Sequence, residues 1–125
     1  MSSRAAVQVT ADASRNILRY SFSGDVSAAD MVPYRASSID AVDTLRTGFS
    51  VLVDLTDLVS MDFACVPYIE QNMELLRDRG VNLVVRVIPD RSKDIGLGII
   101  SLFHYQRGLK ILTVETRIEA EHLLS

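Results

Sequence analysis

The hydrophobic pattern is clearest between Phe49 and Val87. Two nearly continuous apolar runs, residues 51–53 and 81–87, flank a segment in which apolar residues recur at helical spacing. Unbroken apolar runs are typical of strands covered on both faces, and a basic last turn followed by glycine is typical of a helix end. The pattern predicts a strand–helix–strand unit whose helix runs from about Val66 to Arg79. The predicted buried stripe of this helix consists of Val66, Ile69, Met73 and Leu76.

Before this unit, apolar and polar residues alternate with a period of two, which is typical of half-buried strands. The alternation around Val7 and Val9 predicts an edge strand, and residues 17–22 (ILRYSF) predict a second strand. Turn formers lie between the two runs, so the pair is predicted to form a hairpin. Gly24 and Asp25 are expected to end the second strand.

A helix is predicted between this hairpin and Gly48, but two starts compete. Ser27 and Asp30 match a capping pair, yet a start at Ser27 would place Pro33 too deep inside the helix, where proline is disfavoured. We therefore expect Asp30 to be the N-cap, with Pro33 in the first turn.

The C-terminal third of the chain adds one strand and two helices to the prediction. Residues 95–105 (IGLGIISLFHY) carry apolar side chains on more than one side of any helix, and residues 110–114 are predicted to form a strand. Thr116 and Glu119 match a capping box for a last helix through Leu124. The predicted order is β-β-α-β-α-β-α-β-α, a mixed sheet of about five strands with four helices in a single domain spanning residues 1–125.

Composition narrows the function classes. The chain has 125 residues, of which 48% are hydrophobic, and 13 basic against 16 acidic side chains give a net charge of −3. No basic stripe is present to neutralise phosphates, which argues against nucleic-acid binding. The single cysteine excludes an internal disulfide, and no apolar run approaches membrane-spanning length. Because the N-terminus also lacks a signal-peptide pattern, we expect a cytoplasmic protein.

Asp54, Asp57 and Asp62 are the densest group of carboxylates in the sequence. They could hold Mg²⁺ for phosphoryl transfer, or they could satisfy backbone donors in a turn and at a helix start. The second interpretation is favoured because neither a phosphate-cradling glycine loop nor an accompanying lysine is present. We therefore expect no metal site and no cofactor.

The remaining reactive side chains each allow two interpretations. Cys65 could be a nucleophile or redox sensor, or a small buried residue, and the second is favoured because no His-Asp pair can be placed beside it. His104, on a largely apolar segment, is expected to be semi-buried and hydrogen-bonded, whereas His122 is expected at the surface. Ser60 is a candidate phosphorylation site in the acidic turn between Asp54 and Asp62, although like charge surrounds it.

The chain resembles the STAS domain family, which includes sulfate-transporter cytoplasmic domains and bacterial anti-sigma-factor antagonists. The family's third strand and following turn read roughly Val-Asp-Leu-Ser, several residues, then Asp-Ser-Ser-Gly. The segments that carry the resemblance are Val53-Asp54-Leu55-Thr56, Asp62-Phe63-Ala64-Cys65, Arg79-Gly80-Val81, Gly108-Leu109, residues 111–114 and Glu119-Ala120. The match covers most of Asn16 to Leu124 and implies a STAS-like fold.

The resemblance fails at the residues that carry the family's chemistry. In the antagonists, a partner kinase phosphorylates the second serine of the motif, and phosphorylation abolishes partner binding. That serine corresponds to Ala64, which has no hydroxyl, while Phe63 replaces the other serine and Cys65 replaces the glycine. The implied function is a non-enzymatic protein-interaction module in bacterial regulation that lacks this phosphoserine switch.

The resemblance also implies a partner and a surface. The partner would be an anti-sigma factor, a kinase-like protein or another STAS protein. Separately from the resemblance, an exposed apolar patch at residues 95–105 would favour a homodimer. The expected partner surface consists of Asp62, Phe63, Ala64, Cys65, Pro67 and Gln71.

Two alternatives belong to other classes. The apolar surplus at residues 95–105 would suit a small-molecule or lipid-binding domain similar to the CRAL-TRIO domains. A hydrolase or transferase that uses the aspartates is a third, weaker hypothesis.

Overall fold

The computed structural model describes residues 5–88 and 110–124, and its strands and helices follow the predicted alternation closely. The strands are β1 (Ala6–Asp12), β2 (Ile17–Val26), β3 (Ser50–Asp54), β4 (Leu58–Met61), β5 (Leu83–Val87) and β6 (Ile111–Val114). The helices are α1 (Ala28–Met31), α2 (Tyr34–Val42), a 3-10 helix (Phe63–Cys65), α3 (Val66–Asp78) and α4 (Arg117–Leu124). The predicted helix at residues 95–105, which includes His104, lies outside the described residues.

One mixed sheet organises these elements. The strand order is β1-β2-β3-β5-β6, and β4 pairs with the far end of β2. β1 and β2 are antiparallel, as expected of a hairpin, and every other described pair is parallel. The predicted mixed α/β architecture is confirmed, with β1 at one edge and β5 between two neighbours.

The two faces of the sheet support separate apolar clusters. The larger one packs Leu18, Tyr20 and Val84 of the sheet against α2 and α3. The smaller one joins Val85 and its neighbours on the opposite face to Ala120 of α4. Strand residues alternate between faces, so each covered face demands apolar residues at every second position. This demand explains why the central strands are nearly continuous apolar runs.

Two expectations about the first half of the chain are wrong. Asp30 is not the N-cap, because Ser27 begins α1 and the Ser27 N–H donates to the Asp30 carboxylate at 2.8 Å. Pro33 does not break this helix from inside, because the chain divides there and Pro33 caps α2 instead. Gly24 and Asp25 also do not end β2, which shifts register between them and continues to Val26.

The region between Asp54 and Asp62 is more ordered than the sequence suggested. It contains β4, so the sheet has six strands where about five were expected. The central helix α3 follows the prediction within one residue, and Ile69, Met73 and Leu76 are buried as expected, whereas Val66 is only partly buried. Thr116 caps α4 as expected, since its hydroxyl accepts from the Glu119 N–H at 3.1 Å and donates to the Glu119 carboxylate at 3.1 Å.

Within residues 5–88 and 110–124, no helix is long and apolar enough to cross a membrane.

Candidate functional site

All five parallel strands end at one side of the sheet, which we call the carboxyl edge; its strand ends are Val26, Asp54, Met61, Val87 and Val114. At this edge β2 leads into α1, and β4 leads into the 3-10 helix and α3. The Asp62 N–H donates to the Val26 carbonyl at 2.9 Å, so the ends of β4 and β2 are tied together. In open α/β sheets this edge is where ligands and partners usually bind.

The predicted motif turn forms the strand-to-helix junction at this edge. Asp62 has an extended backbone, and its carboxylate accepts from the Ala64 N–H at 3.1 Å. The regular α-helix begins at Val66 with Pro67 in its first turn, where proline sacrifices no helical hydrogen bond. The Ala64 N–H is therefore already bonded to Asp62 and is not available to bind an anion.

Some side chains of this turn are exposed at the surface, whereas another is buried in the core. Phe63 is 74% exposed, and Asp62, Ala64, Pro67 and Gln71 are also exposed. Two further large apolar side chains, Val32 (62% exposed) and Val59 (53% exposed), were not singled out from the sequence. Val32 lies one residue beyond α1, which contacts the 3-10 helix, and Val59 lies on β4. Of these two residues, Val32 adds apolar surface beside the predicted site.

Cys65 is the exception in the turn, because it is fully buried. Its thiol lies 3.7 Å from the Val26 carbonyl oxygen. Burial raises the pKa of the Cys65 thiol, and the negative charges of Asp62 and Asp30 raise it further. The geometry agrees with a small buried residue and opposes a reactive thiolate. It also removes Cys65 from the residues that could touch a partner.

Asp54, Asp57 and Asp62 do not form one cluster of carboxylates. The Asp54 carboxylate accepts from the Thr56 N–H at 2.9 Å, from the Thr56 hydroxyl, and from the Arg117 guanidinium at 2.6 Å. Asp57 also pairs with Arg117, at 3.2 Å, whereas Asp62 caps the separate turn. Among the described residues, no three potential metal ligands form a group. The turn role expected for Asp54 is confirmed, and its partner Arg117 was missed because it lies 63 residues away.

Because of Asp54, the free energy of unfolding should decrease at acid pH. Burial tends to raise the pKa of Asp54, but the hydrogen bonds from Thr56 and Arg117 outweigh burial and lower it. A carboxyl whose pKa falls on folding stabilises the protein above its unfolded-state pKa, and this stabilisation disappears as the pH drops through the folded-state pKa. Asp54→Asn is expected to cost about 1 to 2 kcal/mol at neutral pH and much less near pH ~3. Urea unfolding at both pH values measures this difference.

Asp57→Asn is the matched control, because the Asp57 carboxylate accepts from the same Arg117 guanidinium at an exposed position. It is expected to cost less than about 1 kcal/mol at neutral pH. Equal losses for Asp54→Asn at both pH values would contradict the proposed role of the ionised carboxylate.

Two other candidates occupy the surface. Ser60 is exposed on β4, and its hydroxyl donates to the Asp25 carboxylate at 2.6 Å. It remains a predicted phosphorylation site, with a carboxylate directly beside the hydroxyl. His122 is exposed on α4, as expected.

A buried polar network beneath the site was not recognised in the sequence. The Asn72 amide donates to the Tyr20 hydroxyl at 3.0 Å and to the Tyr34 hydroxyl at 2.9 Å. The Tyr20 hydroxyl in turn donates to the Ser38 hydroxyl at 3.0 Å. Burial raises the pKa of both tyrosines, so their hydroxyls stay protonated. The network connects β2, α2 and α3 and thereby positions the helix that follows the turn.

No protein-family model and no curated protein sequence matches the chain. Solved structures do. The phosphorylated form of SpoIIAA, a Bacillus cell fate determinant, matches with a TM-score of 0.66 and 16% identity over 96% of this chain and 100% of that one. The unphosphorylated form of SpoIIAA, an anti-sigma factor antagonist, matches with a TM-score of 0.64 and 16% identity over 95% of this chain and 97% of that one.

A third match is an uncharacterised DUF3478-family protein from Shewanella loihica PV-4, which has a SpoIIAA-like fold. Its TM-score is 0.59 at 12% identity, over 98% of this chain and 95% of that one. Identities this low establish a shared fold alone. The chain therefore has the SpoIIAA-like, STAS-type fold that its sequence resemblance predicted.

Proposed function

We propose that this chain is a single-domain, non-enzymatic protein-interaction module of the anti-sigma-factor-antagonist type that acts in the bacterial cytoplasm. The fold it shares with SpoIIAA, an anti-sigma factor antagonist, supports this class of function. The proposed partner is an anti-sigma factor, a related kinase-like protein or another STAS protein.

The exposure of Phe63 is the observation that carries the proposal. A phenylalanine that is 74% exposed gains almost nothing from the core, although the same turn buries Cys65 completely. Large apolar side chains in such positions are typical of interaction sites, particularly where other exposed apolar residues lie nearby. Val32 directly follows α1, which contacts the 3-10 helix that contains Phe63, and so extends the apolar area there. The proposed contact residues are Asp62, Phe63, Ala64, Pro67 and Gln71, with Cys65 supporting the turn from below.

The proposed interaction is not controlled by phosphorylation of the motif. By the sequence resemblance Ala64 corresponds to the serine that is phosphorylated in the family, and Ala64 lies exposed at the surface. Without a hydroxyl this position cannot accept a phosphate, so the negative charge that disrupts partner binding in the family cannot be added there. Binding at this surface is therefore governed by shape and apolar contact.

Phe63→Asp tests the proposal directly. The variant should reduce recovery of the protein partner from native cell extract by about tenfold or more. Because the side chain is already exposed, the thermal midpoint should be nearly unchanged. Affinity purification with quantitative mass spectrometry measures recovery, and thermal unfolding of the purified variant measures the midpoint.

Ile118→Asp is the matched control, since Ile118 is 73% exposed on α4. It should leave partner recovery unchanged. Recovery of the same partner by Phe63→Asp, equal loss in both variants, or the absence of any partner of the wild-type chain would each refute the proposal.

A further inference from the structure

Helix α4 is attached to the sheet by charged side chains at two positions one turn apart. At its first residue, the Arg117 guanidinium bridges the carboxylates of Asp54, at 2.6 Å, and Asp57, at 3.2 Å. Asp54 is the last residue of β3, and Asp57 lies in the loop that leads to β4. This end of α4 is therefore tied to the carboxyl edge of the sheet.

The second attachment uses the opposite charge. The Glu121 carboxylate accepts from Arg19 of β2 at 2.5 Å and from Arg15 of the β1–β2 turn at 3.2 Å. The hydrogen bond from Arg19 lowers the pKa of Glu121, which keeps this carboxylate ionised at neutral pH. Residues four positions apart share one face of a helix, so Arg117 and Glu121 hold the same face of α4 against the sheet.

Apolar burial is small in α4 compared with the central helix. Ala120 is the only fully buried residue of the segment 117–124, whereas α3 buries Ile69, Met73 and Leu76. Ile118 of α4 is 73% exposed. An alanine side chain removes much less apolar area from water than isoleucine, methionine or leucine does. The ion pairs are therefore a substantial part of what holds α4 in place.

We infer that α4 is a strap held by charge, which opens as one unit while the rest of the described fold stays intact. Proteins open locally in such cooperative units, at a lower free energy than global unfolding requires. Opening would separate Ala120 from Leu52, Val85 and Val87, the buried sheet residues of the smaller apolar cluster. It would also free the loop between β3 and β4 from Arg117. Ionic conditions thereby control whether this sheet face is covered and this loop is fixed. The inference does not depend on the proposed function.

Amide hydrogen exchange of the full chain, followed by NMR, tests the inference. The amides of residues 120–124 report the opening of α4, and those of Met73 and Leu76 report the stability of the larger apolar cluster. Salt screens ion pairs between partly exposed side chains, so raising it from about 0.05 M to about 0.5 M should speed exchange throughout residues 120–124 by about threefold or more. Exchange at Met73 and Leu76 should change little.

Two matched variants separate charge from packing. Glu121→Gln removes the carboxylate that binds both Arg15 and Arg19, and it should speed exchange in residues 120–124 by about threefold to tenfold at low salt. Salt should then affect this variant less than the wild type. Asp43→Asn neutralises the carboxylate of the one ion pair within residues 5–88 and 110–124 that does not involve α4, so it should leave exchange in α4 unchanged.

Exchange in α4 that is insensitive to salt would overturn the inference, because apolar contact would then hold the helix. A steady increase in exchange rate from Ala120 to Leu124 would indicate fraying of the last turn and would contradict opening as a unit. Equal acceleration at Met73 and Leu76 would mean that α4 opens only when the whole fold does. Equal effects of Glu121→Gln and Asp43→Asn would also refute the role of these ion pairs.

Discussion

Gly80→Ala is expected to lower the free energy of unfolding by about 2 to 3 kcal/mol, because two costs combine at this position. Gly80 has φ +86°, in the left-handed region that strains residues with a Cβ atom. It also ends α3 in a Schellman arrangement: the Gly80 N–H donates to the Arg77 carbonyl, and the Val81 N–H donates to the Leu76 carbonyl, each at 3.1 Å. A Cβ at Gly80 would lie 2.6 Å from Cγ2 of Thr47.

Thr47→Ala separates the steric cost from the conformational one. Removing Cγ2 leaves the Thr47 Cβ at 3.6 Å from the added atom, which is ordinary contact. The double variant Gly80→Ala/Thr47→Ala should therefore recover part of the loss and retain the strain of the left-handed backbone. Chemical denaturation of both single variants and the double variant measures these terms. A Gly80→Ala variant as stable as wild type would show that the end of α3 does not require a glycine at this left-handed position.

The sequence predicted best where one local rule acts on many residues. The helix from about Val66 to Arg79 and the N-cap at Thr116 both match the structure, because periodicity and cap chemistry are local. Pro33 shows the limit of such a rule. Proline cannot lie deep in a helix, and that reasoning was sound, but the chain met the constraint by splitting into two helices and not by moving the first cap.

Strand β4 was missed because its evidence is not local. Residues 58–61 are short, lie among aspartates and alternate only weakly, so the segment resembles a turn. Their pairing depends on the register shift between Gly24 and Asp25, more than thirty residues earlier. Contacts this distant in sequence leave no periodic signal.

The sequence indicated the position of residues 62–65 in the fold but not which of their side chains are exposed. The motif at residues 62–65 indicated the strand-to-helix junction, yet only the fold decides that Phe63 points outward while Cys65 is buried. Arg86 shows the same limit in the core, since it is fully buried in an apolar strand and donates to the Thr113 hydroxyl at 2.8 Å. Exposure depends on which neighbouring elements cover a position, and the sequence pattern does not contain that information.

The second large effect is expected at the buried network behind α3. Tyr20→Phe should lower the free energy of unfolding by about 2 to 3 kcal/mol. The substitution leaves one Asn72 N–H and the Ser38 hydroxyl buried without the partner that both share in the native protein. An unsatisfied buried polar group loses its hydration without compensation, and this cost exceeds the modest net value of the hydrogen bond itself.

Asn72→Leu should cost much less, although it removes two hydrogen bonds at once. The side-chain oxygen of Asn72, Oδ1, is buried and has no hydrogen-bond partner among the described residues. The native side chain therefore already carries the free-energy cost of an unsatisfied buried acceptor, which leucine removes. Leucine has the same number of side-chain heavy atoms and gains apolar contact with the surrounding cluster. The Tyr34 hydroxyl loses its donor, but the unpaired Asn72 oxygen is removed at the same time, so one unsatisfied buried group replaces another. We expect a change within about 1 kcal/mol of wild type.

The double variant distinguishes a coupled network from independent contacts. Tyr20→Phe removes the hydroxyl to which the Asn72 amide donates. If the cost of Tyr20→Phe comes from this unpaired amide, then Tyr20→Phe/Asn72→Leu should be more stable than Tyr20→Phe alone, with a coupling energy of about 1 to 2 kcal/mol. Urea unfolding of the four proteins completes the cycle. Strict additivity would mean that Tyr20 acts through packing and Ser38 alone. Coupling would mean that Asn72 is held by its neighbours at a net cost, as expected of a residue that fixes α3, and with it the turn that precedes α3, against β2 and α2.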